Sequence, residues 1–415
     1  LGKVSGQDDD YTYTENIWYN DFLVTFNKKF NSFSVNVILG ASVSQSIMNT
    51  QELSTSSLLI PNFYNIGSAA GIPAFSQNKF EQRQYAYFED LTLGFKNYLF
   101  LNLTNRDEWN SVLAPGNQHY EYPSANASFV FTDAIPSLKN SNILSYGKIF
   151  GGLTRVANIS LNSQGTYGAY QIENTFGIGP NVFLTGNAFP FGGLGGYTTS
   201  YTSLNPDVTP ERTVSQEGGF NLGVWNNRIN FNADYYHEIT TQQTLAAQIS
   251  RATGFNEKVL NTGKMLNDGV ELDLNYKVIQ NSNWTWTVGV HYAYNHNEVI
   301  AIIPSLGIKS VQLGGYLNDF LPALDGGIYA QVGQPYPVIK VSDWQRDPEG
   351  KVIVNPVSGM PTVDHDLIVA GNTNPKSILG ITTGLTWKTL TLNLVANYRG
   401  GYYIMNSIGR QFDFT

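Results

Sequence analysis

Glu271 and Asp273 stand in a stretch where Val270, Leu272, Leu274 and Tyr276 alternate with Glu271, Asp273, Asn275 and Lys277. A period of two places both carboxylates on one face of a strand. Two carboxylates on one face are what glycoside cleavage uses, one as acid and one as base or nucleophile. A hydrophilic sheet wall needs the same pattern and performs no chemistry. The other reactive groups are dispersed. His119, His237, His291, His296 and His365 are scattered along the chain. His237-Glu238 lacks the second histidine of a zinc-protease helix, and His291 and His296 fall on opposite faces of one strand. The glycines of Phe191-Gly-Gly-Leu-Gly-Gly196 are spaced like a phosphate cradle, but no strand-to-helix context follows them. Asp8, Asp9 and Asp10, and Asp364 and Asp366 around His365, are candidate calcium ligands if they lie in loops. Solvated surface charge is the plain alternative. The chain has no cysteine, so thiolate nucleophiles, disulfides and cysteine metal sites are excluded. No catalytic residue is expected, and calcium is the one cofactor left open.

The elements that would position these groups are strands. Of 415 residues, only 13% are charged, about half the usual soluble share, while 13% are aromatic and 40 are glycine. That balance suits many strands, long loops and aromatic belts. A net charge of -8 supplies no basic stripe to neutralise phosphates, which argues against nucleic acid as partner. No apolar run reaches the roughly 18 residues of a transmembrane helix, a test that a membrane barrel does not have to pass.

The clearest unit is a hairpin at 205–245. Ile229, Phe231, Ala233 and Tyr235 alternate with Asn230, Asn232, Asp234 and Tyr236. Phe220, Leu222 and Val224 do the same in the preceding arm, and Trp225-Asn226-Asn227 makes the tight turn. Five further pairs follow the same pattern: 12–26 with 33–45, 81–93 with 98–105, 121–132 with 143–157, 265–279 with 284–299, and 376–387 with 389–402. This gives about twelve strands of roughly 12 to 16 residues. Links within pairs are short; links between pairs run to roughly 15–75 residues. Short and long links in strict alternation put all turns at one end and all loops at the other. Outer-membrane barrels have that shape, whereas soluble sandwiches rarely carry such loops.

Two aromatic sets mark the two ends. Phe33, Phe95, Tyr98, Trp225, Trp284, Trp286 and Trp387 sit at the turns, and Tyr235, Tyr236, Tyr292, Tyr294, Tyr398, Tyr402 and Tyr403 sit toward the loops. Lipid interfaces favour such rings; the packed core of a β-sandwich is the competing reading. In a barrel, Asn230, Asn232, Asp234, Glu271 and Asp273 line the lumen wall while Phe231 and Ala233 face lipid. The loops at 158–205 and 300–375 carry Tyr167, Tyr170, Phe189, Phe191, Tyr197, Tyr201, Tyr316, Tyr329 and Trp344. These rings can stack on a ligand, contact a partner, or pack against one another.

The stretch NPDVTPERTVSQEGGFNLGVWNNRINFNADYYHEITTQQTL resembles the strand pair that follows the NP-x-L-x-PE-x-T motif in TonB-dependent outer-membrane receptors of the SusC/RagA type. Segments at 105–131, 143–158, 260–279 and 371–401 resemble the same family, in the same order. The chain departs from it at Glu108-Trp109-Asn110, where a serine pair usually follows the Arg-Asp segment. The resemblance implies an all-β, transmembrane, antiparallel up-and-down β-barrel with short periplasmic turns and long extracellular loops. Residues 1–415 would be a middle to C-terminal part of a barrel of about 22 strands. The plug domain, the N-terminal extension and the last strands are expected outside this chain. The implied function is TonB-dependent import of oligosaccharides or oligopeptides across the bacterial outer membrane, with a SusD-like surface lipoprotein as partner, TonB acting through the plug, and lipid around the wall. The alternative is a secreted or surface β-rich protein that binds glycans or adheres. A β-rich glycoside hydrolase is a third class; it predicts hydrolysis lost on replacing Glu271 or Asp273.

Overall fold

The computed structural model describes residues 4–139, 141–159, 172–174, 176–177, 195–200, 202–314 and 326–404. Its first strands are β1 (Val4–Phe30), β2 (Phe33–Leu58), β3 (Ala74–Phe95), β4 (Leu99–Asn110), β5 (His119–Glu121), β6 (Ser124–Val130) and β7 (Leu144–Asn158). Three two-residue strands follow, β8 (Phe176–Gly177), β9 (Thr198–Thr199) and β10 (Thr202–Ser203). Next come β11 (Glu211–Val224), β12 (Ile229–Gln248), β13 (Glu257–Gln280) and β14 (Trp284–Ala301). The last are β15 (Ser310–Gly314), β16 (Gly326–Gln331), β17 (Val338–Trp344), β18 (Val363–Asn372), β19 (Ser377–Trp387) and β20 (Leu390–Gly400).

Twelve strands form one antiparallel meander in the order β1-β2-β3-β4-β6-β7-β11-β12-β13-β14-β19-β20. These are the twelve strands expected from alternation. The sheet is open, with β1 and β20 at its two edges. One register row crosses all twelve: Phe30, Phe33, Phe95, Leu99, Phe129, Ile149, Phe220, Ala233, Leu272, Tyr292, Leu379 and Tyr398. Directly paired residues point to the same face, so this face is apolar from edge to edge. The row meets β1 and β2 at their turn but reaches β19 and β20 well above theirs. That climb is the stagger a tilted barrel wall requires. Hollows of about 570 and 270 Å³ open on the opposite, polar face, which marks it as the concave side.

The short connections lie at 31–32, 96–98, 131–143, 225–228, 281–283 and 388–389. Trp225, Asn226 and Asn227 all have positive φ (52°, 56° and 58°), the left-handed geometry that twisted hairpin turns demand and asparagine tolerates. Rings meet along this end. Phe33 meets Phe95 at 4.8 Å, Phe95 meets Tyr98 at 5.6 Å, and Trp284 meets Trp387 at 5.6 Å.

Four expectations are corrected. The strands are longer than expected: β1 has 27 residues, β2 has 26 and β13 has 24. Much of the expected loop around 46–80 is therefore sheet. The β12–β13 connection, 249–256, is short, so the long links are not uniformly long. The strand expected at 121–132 is broken into β5 and β6, with a helical turn at Phe131–Ala134 after it. The 302–376 connection is no bare loop but holds a second sheet, β15-β16-β17-β18.

The apolar clusters sit at the loop end rather than between two layers. One joins Val112, Leu113, Tyr120 and Val208. The other joins Val299, Ile302, Ile303 and Ala330, with Leu245, Leu260, Val311 and Tyr336 packed on it, and seats the second sheet on the ends of β12–β14.

Candidate lumen wall and loop pockets

The concave face of β11–β14 holds an acidic groove. Ser215, Glu217, Asp234, Tyr236, Glu238, Asn267, Glu271 and Asn295 line its 570 Å³. Strand pleating places them: Asn230 is paired with Asn275, Asn232 with Asp273, and Asp234 with Glu271, so the five residues expected on the lumen wall share one face. Asp234 and Glu271 are like charges directly opposed, an arrangement that favours a cation between or above them. Tyr236 donates its hydroxyl to Asn295 Oδ1 at 2.8 Å, and His291 Nδ1 is bonded to Asp273. Sequence reasoning missed Glu217, Glu238, Asn267 and Asn295. Extending the alternation of Phe220, Leu222 and Val224 back along β11 would have found Glu217.

A second polar cluster lies on the same face of β2–β5, nearer the loops. Glu108 is buried; it accepts from Arg106 Nε at 2.8 Å and from Tyr120 Oη at 2.7 Å. Arg106 also donates to Ser42 Oγ at 3.2 Å. Burial first, and the bond to Glu108 second, push the Tyr120 hydroxyl up; burial, then the charge of Glu108, push Tyr122 up to about 12. Each charge here is matched, so this is a neutral, rigid piece of wall.

A third site lies above the groove, between the wall and the second sheet. Glu211, Gln243, Leu245, Met265, Val299, Ile302, Val311, Leu313 and Tyr336 line a pocket of about 290 Å³. Asn297 clamps the second sheet above it, donating to Tyr336 O at 2.9 Å and accepting from Tyr336 N–H at 3.2 Å. Burial holds the Glu211 carboxyl above the ordinary range, against the Thr244 backbone N–H that it accepts at 3.4 Å.

Of the loop aromatics, Tyr197 is exposed, and Tyr329 is engaged by Lys340 Nζ 5.0 Å from its ring centre. Trp344 ends β17 beside Asp343, whose carboxyl is held low by the Trp344 backbone N–H and then by Arg346. Tyr167, Tyr170, Phe189, Phe191, Tyr201 and Tyr316 lie outside the described residues. The calcium candidates are not in loops: Asp8, Asp9 and Asp10 belong to β1 and point to alternate faces, and Asp364 and Asp366 lie in β18. Among the described residues, Asp107, His119 and Glu121 do bring ligand atoms within 4.8 Å of one another. His119 Nε2 lies 2.9 Å from Asp107, and Glu121 accepts from Arg155 at 2.8 Å, so both carboxylates already have partners. Glu271 and Asp273 sit in the polar row of the wall, Glu271 opposite Asp234 and Asp273 opposite Asn232.

A family model described as TonB dependent receptor-like, beta-barrel, matches residues 2–412. TonB-dependent receptor P26 of Formosa agariphila is 23% identical over 77% of this chain and 32% of its own length. TonB-dependent receptor SusC of Bacteroides thetaiotaomicron is 26% identical over 53% of this chain and 22% of its own. These relatives are receptors by name, not enzymes. A solved structure of the RagAB peptide transporter superposes with a TM-score of 0.73 at 17% identity, covering 95% of this chain and 42% of that one. The chain thus spans under half the length of each of these three proteins.

Proposed function

The chain belongs to the TonB-dependent receptor β-barrel family, bacterial outer-membrane proteins, and from that premise we propose that the intact protein imports oligosaccharides or oligopeptides together with a SusD-like surface lipoprotein. The observation that carries this reading is the twelve-strand row that is apolar on the convex face, backed by a polar and acidic concave face. Such a wall is stable only with hydrocarbon outside and water, protein or solute inside. The long β1–β3 strands and the second sheet carry the loop end beyond the apolar band, where a lipoprotein partner and incoming cargo meet the chain. A plug segment would occupy the concave side toward the turn end and respond to TonB. The wall's residues then act by shape, hydrogen bonding and charge, and no bond-making group is required of them.

The test is uptake of labelled oligosaccharide and oligopeptide mixtures by cells with and without this receptor, repeated after loss of TonB. Import is expected to need both. Uptake that is unchanged when either is removed would refute the reading.

A further inference from the structure

We propose that the pocket under the second sheet is a subsite for one apolar side chain of an oligopeptide, and that the acidic groove below it takes that peptide's neighbouring cationic residue. The proposal rests on the import reading and commits it to one class of cargo. Leu245, Met265, Val299, Ile302, Val311 and Leu313 give the pocket its apolar lining, and its 290 Å³ suits a leucine- or phenylalanine-sized group. A sugar ring placed there would bury hydroxyls against hydrocarbon. The polar groups present, Glu211, Gln243, Thr244 and Tyr336, sit beside that apolar lining, and the Glu211 carboxyl at the wall can accept a peptide backbone N–H.

The pocket is built by a deliberate irregularity. β12 is bulged between Thr241 and Thr244, and Gln242 sits there with a positive φ of 59°, strained for a residue other than glycine. Asn261 holds that conformation. Its Nδ2 reaches Gln242 O at 2.9 Å, Thr209 O at 2.8 Å and Thr244 Oγ1 at 3.0 Å, and its Oδ1 accepts from Thr209 N–H at 2.7 Å. The bulge re-aims Gln243, which lines the pocket beside Leu245. Below it the same strands continue into the groove, from Glu211 to Glu217 on β11 and from Met265 to Glu271 on β13. The groove lining has four carboxylates, Glu217, Asp234, Glu238 and Glu271, and the one lysine at its edge, Lys148, whose charge reaches Asp234, leaves the acids in excess. Apolar pocket and acidic groove together select an apolar residue beside Lys or Arg, which no neutral saccharide offers.

Calorimetry on the intact receptor, extracted from outer membranes, tests this with peptides of equal length and a neutral glucose oligosaccharide of similar mass. One peptide carries adjacent Leu and Lys, one has Ser for Leu, and one has Glu for Lys. The Leu–Lys peptide should bind at least about tenfold more tightly than either altered peptide or the saccharide. Leu313→Asn, at the exposed rim, should erase the preference for Leu over Ser; Glu238→Gln should weaken the preference for Lys over Glu. Tighter binding of the saccharide, or equal binding of all three peptides, would overturn the proposal even if a variant failed to fold. Preferences that survive in folded variants would also overturn it. Energy-dependent uptake is measured separately, so import of a saccharide would sink this inference while leaving the import reading standing.

Discussion

Leu394 and Val395 are neighbours on β20 and point to opposite faces, both exposed. Leu394 continues the outward leucines Leu390 and Leu392, whereas Val395 faces inward with Asn393 and Asn397. Leu394→Arg should therefore cost about 2–4 kcal/mol near the bilayer midplane, while Val395→Arg should cost close to nothing. Denaturant unfolding of the intact barrel in lipid vesicles checks the contrast; equal costs would mean that the two faces meet the same solvent. Glu211, on the loop side of the apolar band, gives a pH signature. Its folded pKa is raised by burial, so the folded state holds this proton more tightly than the unfolded state does. Below the ordinary glutamate range both states are protonated and the site carries no penalty. As pH rises from that range through the raised folded value, stability falls. Glu211→Gln should flatten the fall in that window, measured as melting temperature against pH; an unchanged slope would show that Glu211 is not buried as described.

The β7–β11 contact shows how close the strands come at element scale. Gly151 pairs with Gly218, and Gly219 pairs with both Phe150 and Asp234. A Cβ on Gly219 would lie 2.4 Å from Ala233 O, a backbone atom that cannot swing aside, and 2.9 Å from the Phe150 ring. Gly219→Val should thus force β11 and β12 apart and destabilise the barrel by about 1–3 kcal/mol, the usual cost of overpacking. A variant as stable as the parent in the same unfolding assay would contradict that packing. Legibility in sequence follows the solvent at this scale. The spans 220–236, 270–276 and 390–398 alternate because one face meets lipid and the other meets water, and those strands were readable. The upper half of β2, MNTQELSTSSL, has polar residues on both faces and reads as loop, since no hydrocarbon enforces a pattern there. β16 and β17 escaped notice because they are short and largely buried, which removes the period of two. The concave-face carboxylates Asp234, Glu271 and Asp273 were legible for the first reason. The apolar pocket was not, because its bulge at Gln242 shifts the register that alternation depends on.

At the scale of the molecule, stability and passage both depend on one arrangement, the apolar convex face meeting lipid and the polar concave face meeting the passage. Membership of the receptor family and the superposition on the RagAB fold agree with it, and so does the aromatic ladder at the turn end. The absence of native cysteine allows a direct reading of each position. Single cysteines placed in turn at Val270, Glu271, Leu272, Asp273, Leu274 and Asn275 of the intact receptor in outer-membrane vesicles would carry a fluorophore, probed with an aqueous quencher and a lipid-phase quencher. The account predicts strict alternation, with Val270, Leu272 and Leu274 quenched from the lipid and Glu271, Asp273 and Asn275 from water. Quenching of both sets by the aqueous reagent alone would contradict it.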